Sequence, residues 1–175
     1  MKNWFWFLLI SSLTTIQIAK AEVIGEFTFD LSEYSAQIRT TQEGNTLQFK
    51  CDIENTEIQT IVDTQHFFAY NDDPSLLIFE LNGLHHQLSG DGSDSKFKSC
   101  FNCDNDNLHT ILNVLNSSAD GTLNLEAISL SSGLSSRVSF EIKNLDEAIF
   151  ELQKSCHQLS LRNNSIHFKM TKASR

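Results

Sequence analysis

The sequence predicts an α+β fold: a mostly antiparallel β-sheet or sandwich that carries two amphipathic helices and is stapled by disulfides. Three observations lead there. Apolar and polar residues alternate over most of the chain, which is the period of a half-buried strand. Two segments instead place apolar residues at i, i+3, i+4 and i+7, one face of a helix. Four cysteines stand in a chain whose first residues read as an export signal. Strands follow one another with few strand–helix–strand units, so an antiparallel sheet is expected.

The elements follow in order. Val23, Phe27, Phe29 and Leu31 fall on odd positions, and Tyr34, Ala36 and Ile38 repeat the alternation. A turn at Gln42-Glu43-Gly44-Asn45 leads to Leu47, Phe49, Cys51 and Ile53, giving a candidate hairpin. Asn55 to Gln65 fits either a short helix or another strand. Asn71-Asp72-Asp73-Pro74 reads as a loop. Leu76 to Leu81 and Leu84 to Leu88 flank Asn82-Gly83, a dipeptide suited to the two positive-φ positions of a tight hairpin. Ser89 to Ser95 reads as a polar loop.

The first helix is expected through Leu108, Ile111, Leu112 and Leu115, capped by Asp104 or Asp106. Strands follow at Leu123 to Leu130 and Val138 to Ile142, split by Ser131-Ser132-Gly133. The second helix carries Leu145, Ala148, Ile149 and Leu152, with Asn144 as cap and Glu147 three residues on. A final hairpin is expected around Asn163-Asn164, from Leu159-Leu161 and Ile166-Phe168-Met170.

Residues 1–21 have the layout of a secretory signal peptide: Met1-Lys2, an apolar run from Trp4 to Ile18, and small residues at Ala19 and Ala21. The run is short for a membrane span, which needs about 20 apolar residues. Cleavage after Ala21 would leave 154 of the 175 residues and, by removing Lys2 and Lys20, take the net charge from -9 to -11. Residues 22–160 are then expected as a single β-rich domain and 161–175 as a basic C-terminal extension. An uncleaved anchor is the alternative; after cleavage no transmembrane segment is expected. The acidity, 22 Asp and Glu against 13 Lys and Arg, argues against nucleic acid as a partner. A periplasmic or secreted location follows. Asn116-Ser117-Ser118 and Asn163-Asn164-Ser165 match glycosylation sequons, which matter only in a eukaryotic secretory route.

Cys51, Cys100, Cys103 and Cys156 are the disulfide candidates. Four cysteines allow three pairings. Cys156 extends the apolar stripe of the second helix and Cys51 sits on the inward face of its strand. The pairing preferred on this reading joins one of Cys100 and Cys103 to Cys156 and the other to Cys51. An alternative makes Cys100-Phe101-Asn102-Cys103 a thiol redox pair just before a helix, whose dipole lowers a thiol pKa. A further alternative adds His109 and a distant fourth ligand to make a metal site. The leading reading assigns no catalytic residue, no metal ligand and no cofactor.

Other constellations carry less. Asp91-Gly92-Ser93-Asp94 and Asp104-Asn105-Asp106-Asn107 supply oxygens without the Gly and Glu positions of a calcium loop. His85 and His86 are neighbours in a strand and face opposite sides. Cys156 and His157 diverge on a helix, which disfavours a nucleophile–base pair. His66-Phe67-Phe68-Ala69-Tyr70 fits an aromatic binding patch or a core strand, the core strand being preferred. There is no Gly-x-Ser-x-Gly and no phosphate loop. A hydrolase assembled from dispersed Asp, Glu and His residues stays open, because triads form in space. Beyond Glu151 there is no acid, while Lys154, Arg162, Lys169, Lys172 and Arg175 carry +5, a pattern of an interaction tail or of a solvated face. The rest of the mature chain holds 6 basic and 22 acidic residues, a charge of -16.

The stretch from Arg137 to Cys156, RVSFEIKNLDEAIFELQKSC, resembles the closing strand-plus-helix unit of small exported bacterial proteins of the invasion-associated locus B family. It is also similar to the end of some type VI secretion accessory proteins. Asn144 stands where that pattern carries Gly. The resemblance implies a periplasmic β-rich fold with an envelope or host-interaction role, and it carries over no catalytic residue. The expected function is that of an exported, non-enzymatic protein-binding or envelope-associated accessory protein with a protein partner in the cell envelope or host. The alternative is a thiol redox or metal-binding protein centred on Cys100 and Cys103.

Overall fold

The computed structural model describes residues 20–81, 83–100, 105–117 and 120–173. Their backbone forms ten strands and two helices. The strands are β1 (Lys20–Ile24), β2 (Phe27–Leu31), β3 (Ser35–Gln42), β4 (Asn45–Asp52), β5 (Gln59–Asp63), β6 (Ala69–Leu81), β7 (Leu84–Asp94), β8 (Lys96–Ser99), β9 (Asp120–Ser129) and β10 (Ser135–Lys143). Helix α1 (Asn105–Asn116) lies between β8 and β9, and α2 (Leu145–Ala173) follows β10. All ten strands belong to one sheet, in the order β1-β2-β3-β4-β5-β8-β7-β6-β9-β10, with every neighbouring pair antiparallel. The mostly antiparallel sheet with two helices is the one the periodicity predicts.

Turn chemistry sets several joints. Glu43 and Gly44 both have positive φ, as a two-residue hairpin loop between β3 and β4 demands. Gly83, at φ 76, turns β6 into β7 with Leu81 opposite Leu84, where the Asn-Gly dipeptide places the hairpin. Gly25, at φ 58, splits the first alternating stretch into two strands. That turn breaks the expected odd-numbered register: Ile24 is buried and Val23 is exposed.

Three expectations are corrected and one open alternative is resolved. Asn71 to Pro74 is not a loop but part of β6, which passes through a β-bulge between Ala69 and Asp73. The bulge accommodates Asp72 at φ 56 and tolerates the missing N–H of Pro74. Ser89 to Asp94 likewise continues β7, paired with β6 on one side and β8 on the other. The ambiguous stretch at Asn55 to Gln65 contains a strand, β5. The final hairpin around Asn163-Asn164 is absent, because α2 runs through both halves of it. No Gly or Pro follows Gly133 to stop that helix, and Cys156 and Leu159 continue its buried stripe.

The core is one apolar cluster. Phe27, Phe49, Phe68, Phe79, Phe97 and Phe140 are its largest fully buried side chains. Each contributes roughly 1.5–3 kcal/mol through removal from water. Helix α2 lies on β1 to β4 and against α1, and α1 in turn touches β7. It buries Leu145, Ala148, Ile149, Leu152, Cys156 and Leu159. Asn144, just before it, has φ 53, a backbone state that glycine and asparagine adopt most readily. Its carbonyl accepts the Ala148 N–H at 3.1 Å.

The sheet bends until its last strand meets the end of β3 and the turn between β1 and β2. The Gln42 carboxamide donates to the Glu141 carbonyl at 2.6 Å and accepts the Glu141 N–H at 2.8 Å. It thereby substitutes for a neighbouring strand along the outer edge of β10. Glu26 N–H reaches the Lys143 carbonyl at 3.4 Å, and the two side chains form an ion pair at 3.7 Å. Gly25 presses against that same carbonyl.

Cys51 and Cys156 form a disulfide across 105 residues of sequence, with Cα atoms 5.9 Å apart. This overturns the expected pairing of these two cysteines with Cys100 and Cys103. Both point inward as the sequence indicates, but α2 lies on β4, so they face each other. Cys100 is also disulfide-bonded, and Cys103 lies outside the described residues. Among the described residues no helix is long and apolar enough to cross a membrane. The expected signal peptide lies almost wholly outside them; Lys20 and Ala21 open β1.

Candidate functional site: a cleft on the outer sheet face

Strand alternation delivers two faces. On β6, Leu77, Phe79 and Leu81 enter the core, and so do Leu123, Leu125 and Ala127 on β9 and Val138, Phe140 and Ile142 on β10. Residues between them face outward. Because β6 sits between β7 and β9, the register aligns outward residues in rows across four strands. One row is His85, Glu80, Asn124 and Ser139. The next is Gln87, Ile78, Glu126 and Arg137. Apart from Gln87, the residues of the two rows line a cleft of about 390 Å³, its walls including Ile78, Glu80, His85, Asn124, Glu126, Arg137 and Ser139.

Within the cleft the charges are arranged unequally. Arg137 and Glu126 form an ion pair at 3.0 Å. That hydrogen bond holds the Glu126 carboxyl below its ordinary pKa and raises that of the guanidinium. The Ser139 hydroxyl donates to the Asn124 carbonyl oxygen at 2.7 Å. Ser139 and His85 stand at opposite ends of their row, three strand spacings or roughly 14 Å apart, too far for a nucleophile–base contact.

The other sequence candidates disperse. His85 faces the cleft, whereas His86 pairs across from buried Phe79 on the other face, as strand geometry requires. Cys156 is buried and His157 exposed. The aromatic stretch is only half core: Phe68 and Ala69 are buried, while Phe67 and Tyr70 are exposed and meet edge to face at 5.2 Å. Asp91 to Asp94 is strand rather than a calcium loop. Lys154 pairs with Glu151 at 3.0 Å, Arg162 is exposed on α2, Lys169 and Lys172 fall on its last turns, and Arg175 lies outside the described residues. A second groove of about 310 Å³, between α1, α2 and the segment before β5, is lined by His109, His157, Glu57 and Cys156. Among the described residues no group of three or more His, Cys, Asp or Glu side chains is placed to hold a metal ion.

One further polar cluster is structural. The carboxylate of Asp73, buried in the β6 bulge, accepts hydrogen bonds from the Ser129 and Ser131 hydroxyls. Ser132 donates in turn to the Ser129 oxygen at 2.7 Å. These bonds, with backbone N–H groups of Tyr70 and Ser131, outweigh burial and hold the Asp73 pKa below 3.8. A lowered folded-state pKa means stability present at pH above 3.8 and lost as the pH falls through the folded value. Urea unfolding should therefore show wild type more stable than Asp73→Asn at neutral pH, with the gap closing as the solution is acidified below 3.8. A gap that stays constant with pH would contradict the assignment.

No family model matches this chain, and no curated protein or solved structure does.

Proposed function

We propose that this protein is exported to the periplasm or secreted and acts as a non-enzymatic binding protein, with a protein partner in the cell envelope or host. The observation that carries the reading is the outer-face cleft. It is a concave, mostly apolar surface with charged and polar groups set into it, held in register by four paired strands, in which the serine and histidine stand too far apart for nucleophilic catalysis. Rigid sheet positions preorganise contacts and reduce what binding must spend on ordering side chains. The signal-like residues 1–21 and the Cys51–Cys156 bond support the oxidising compartment.

Cross-linking in the native compartment, followed by mass spectrometry, tests it with two proteins: wild type and Ser139→Arg. Ser139 is exposed, so the arginine fills the cleft without entering the core. The expected result is a discrete adduct that falls about fivefold or more in Ser139→Arg. An adduct pattern identical in the two proteins would remove the cleft from the binding surface.

A further inference from the structure

We infer that Glu80 anchors a cationic side chain, a lysine or arginine on a segment of the partner protein, within the cleft. The inference rests on the binding reading above and adds the chemistry of what enters.

Three features of the cleft carry it. The first is its charge balance. Glu80, Glu126 and Arg137 are the charged side chains of the lining, counting His85 as neutral. Arg137 is committed to Glu126 at 3.0 Å, so that pair presents little net charge to an arriving group. Glu80 makes no hydrogen bond and no ion pair among the described residues; its charge reaches Arg137 only through space, so two carboxylates share one guanidinium and the lining keeps one net negative charge. The second is position. Glu80 sits on β6 in the middle of the four-strand row, opposite His85 on one side and Asn124 on the other. A half-buried carboxylate at the centre of a concave surface interacts more strongly with a cation than one at an exposed rim. The third is the surround. Asn124 and Ser139 are neutral and polar, and Ile78 supplies apolar surface for the methylenes of a long basic side chain.

A protein cation fits this site in sign and shape. The partner backbone lies over the open face, and one basic side chain reaches down beside Ile78 to Glu80. An anionic group meets the opposite situation, because the cleft's one cation is already neutralised and the unpaired charge repels it.

The experiment uses the full chain, isotopically labelled for NMR, with N-acetyl-arginine amide and N-acetyl-glutamate amide as probes. The arginine probe is expected to shift backbone amides of β6, β7 and β9 around Glu80, and the glutamate probe to leave them unmoved. Glu80→Gln should weaken the arginine probe about fivefold or more. Arg137→Gln should act in the opposite direction and tighten it, because it frees the Glu126 carboxylate and removes a competing cation. Opposite signs from two neighbouring substitutions are not produced by general loosening of the sheet. Equal response to both probes, shifts located elsewhere, or indifference to Glu80→Gln would overturn the inference. Cross-linking separates this from the parent reading. A partner adduct lost in Ser139→Arg but intact in Glu80→Gln sinks the cationic anchor and keeps the cleft. An adduct indifferent to both substitutions sinks the two together.

Discussion

Replacing Cys51 and Cys156 with alanine should lower unfolding stability by about 4 kcal/mol, the largest single effect expected in this protein. The bond joins residues 105 apart, so its loss releases a long loop in the unfolded chain. It also removes the one covalent tie between α2 and the sheet among the described residues. Equilibrium unfolding in guanidinium chloride measures the change, and a reducing agent added to wild type should reproduce most of it. A midpoint unchanged in the double substitution would mean that packing of Ile149, Leu152 and Leu159 alone holds α2 in place.

Gly25→Ala is the second. Gly25 has φ 58, where a side chain costs about 1–2 kcal/mol. A Cβ there would also collide with the Lys143 carbonyl oxygen at the end of β10. Backbone cannot swing aside as a flexible side chain does, so the turn between β1 and β2 must retreat from β10. The expected loss is about 3 kcal/mol, combining the conformational cost with overpacking. Gly83→Ala is the matched control, since it has φ 76 but nothing within 4 Å of the added carbon. Thermal unfolding of the two variants should place Gly25→Ala clearly lower. Equal melting points would show that the contact with Lys143 is unimportant and that only the φ matters.

These predictions lean on features of unequal visibility in the sequence. Alternation at Leu47, Phe49 and Cys51, or at Val138, Phe140 and Ile142, is local, so the strands carrying it were legible. The Asn-Gly dipeptide marked its hairpin for the same reason. Asn71 to Pro74 and Ser89 to Asp94 misled, because polar composition resembles a loop even where two neighbouring strands hold the backbone. The period-two spacing of Ile166, Phe168 and Met170 imitated a strand inside what is a continuous helix. Inward-facing Cys51 and Cys156 were identifiable one at a time, but their pairing depends on α2 lying over β4, which no local pattern encodes. The cleft is the extreme case. His85, Glu80, Asn124 and Ser139 become a row only because β6 is inserted between β7 and β9.

The Cys51–Cys156 bond also imposes an order on the making of the protein. Cys156 is synthesised after all ten strands, since β10 ends at Lys143. All the strands of the described residues are therefore synthesised before this bond can form. An oxidant that meets the chain before α2 has been made finds Cys51 without its partner for this bond.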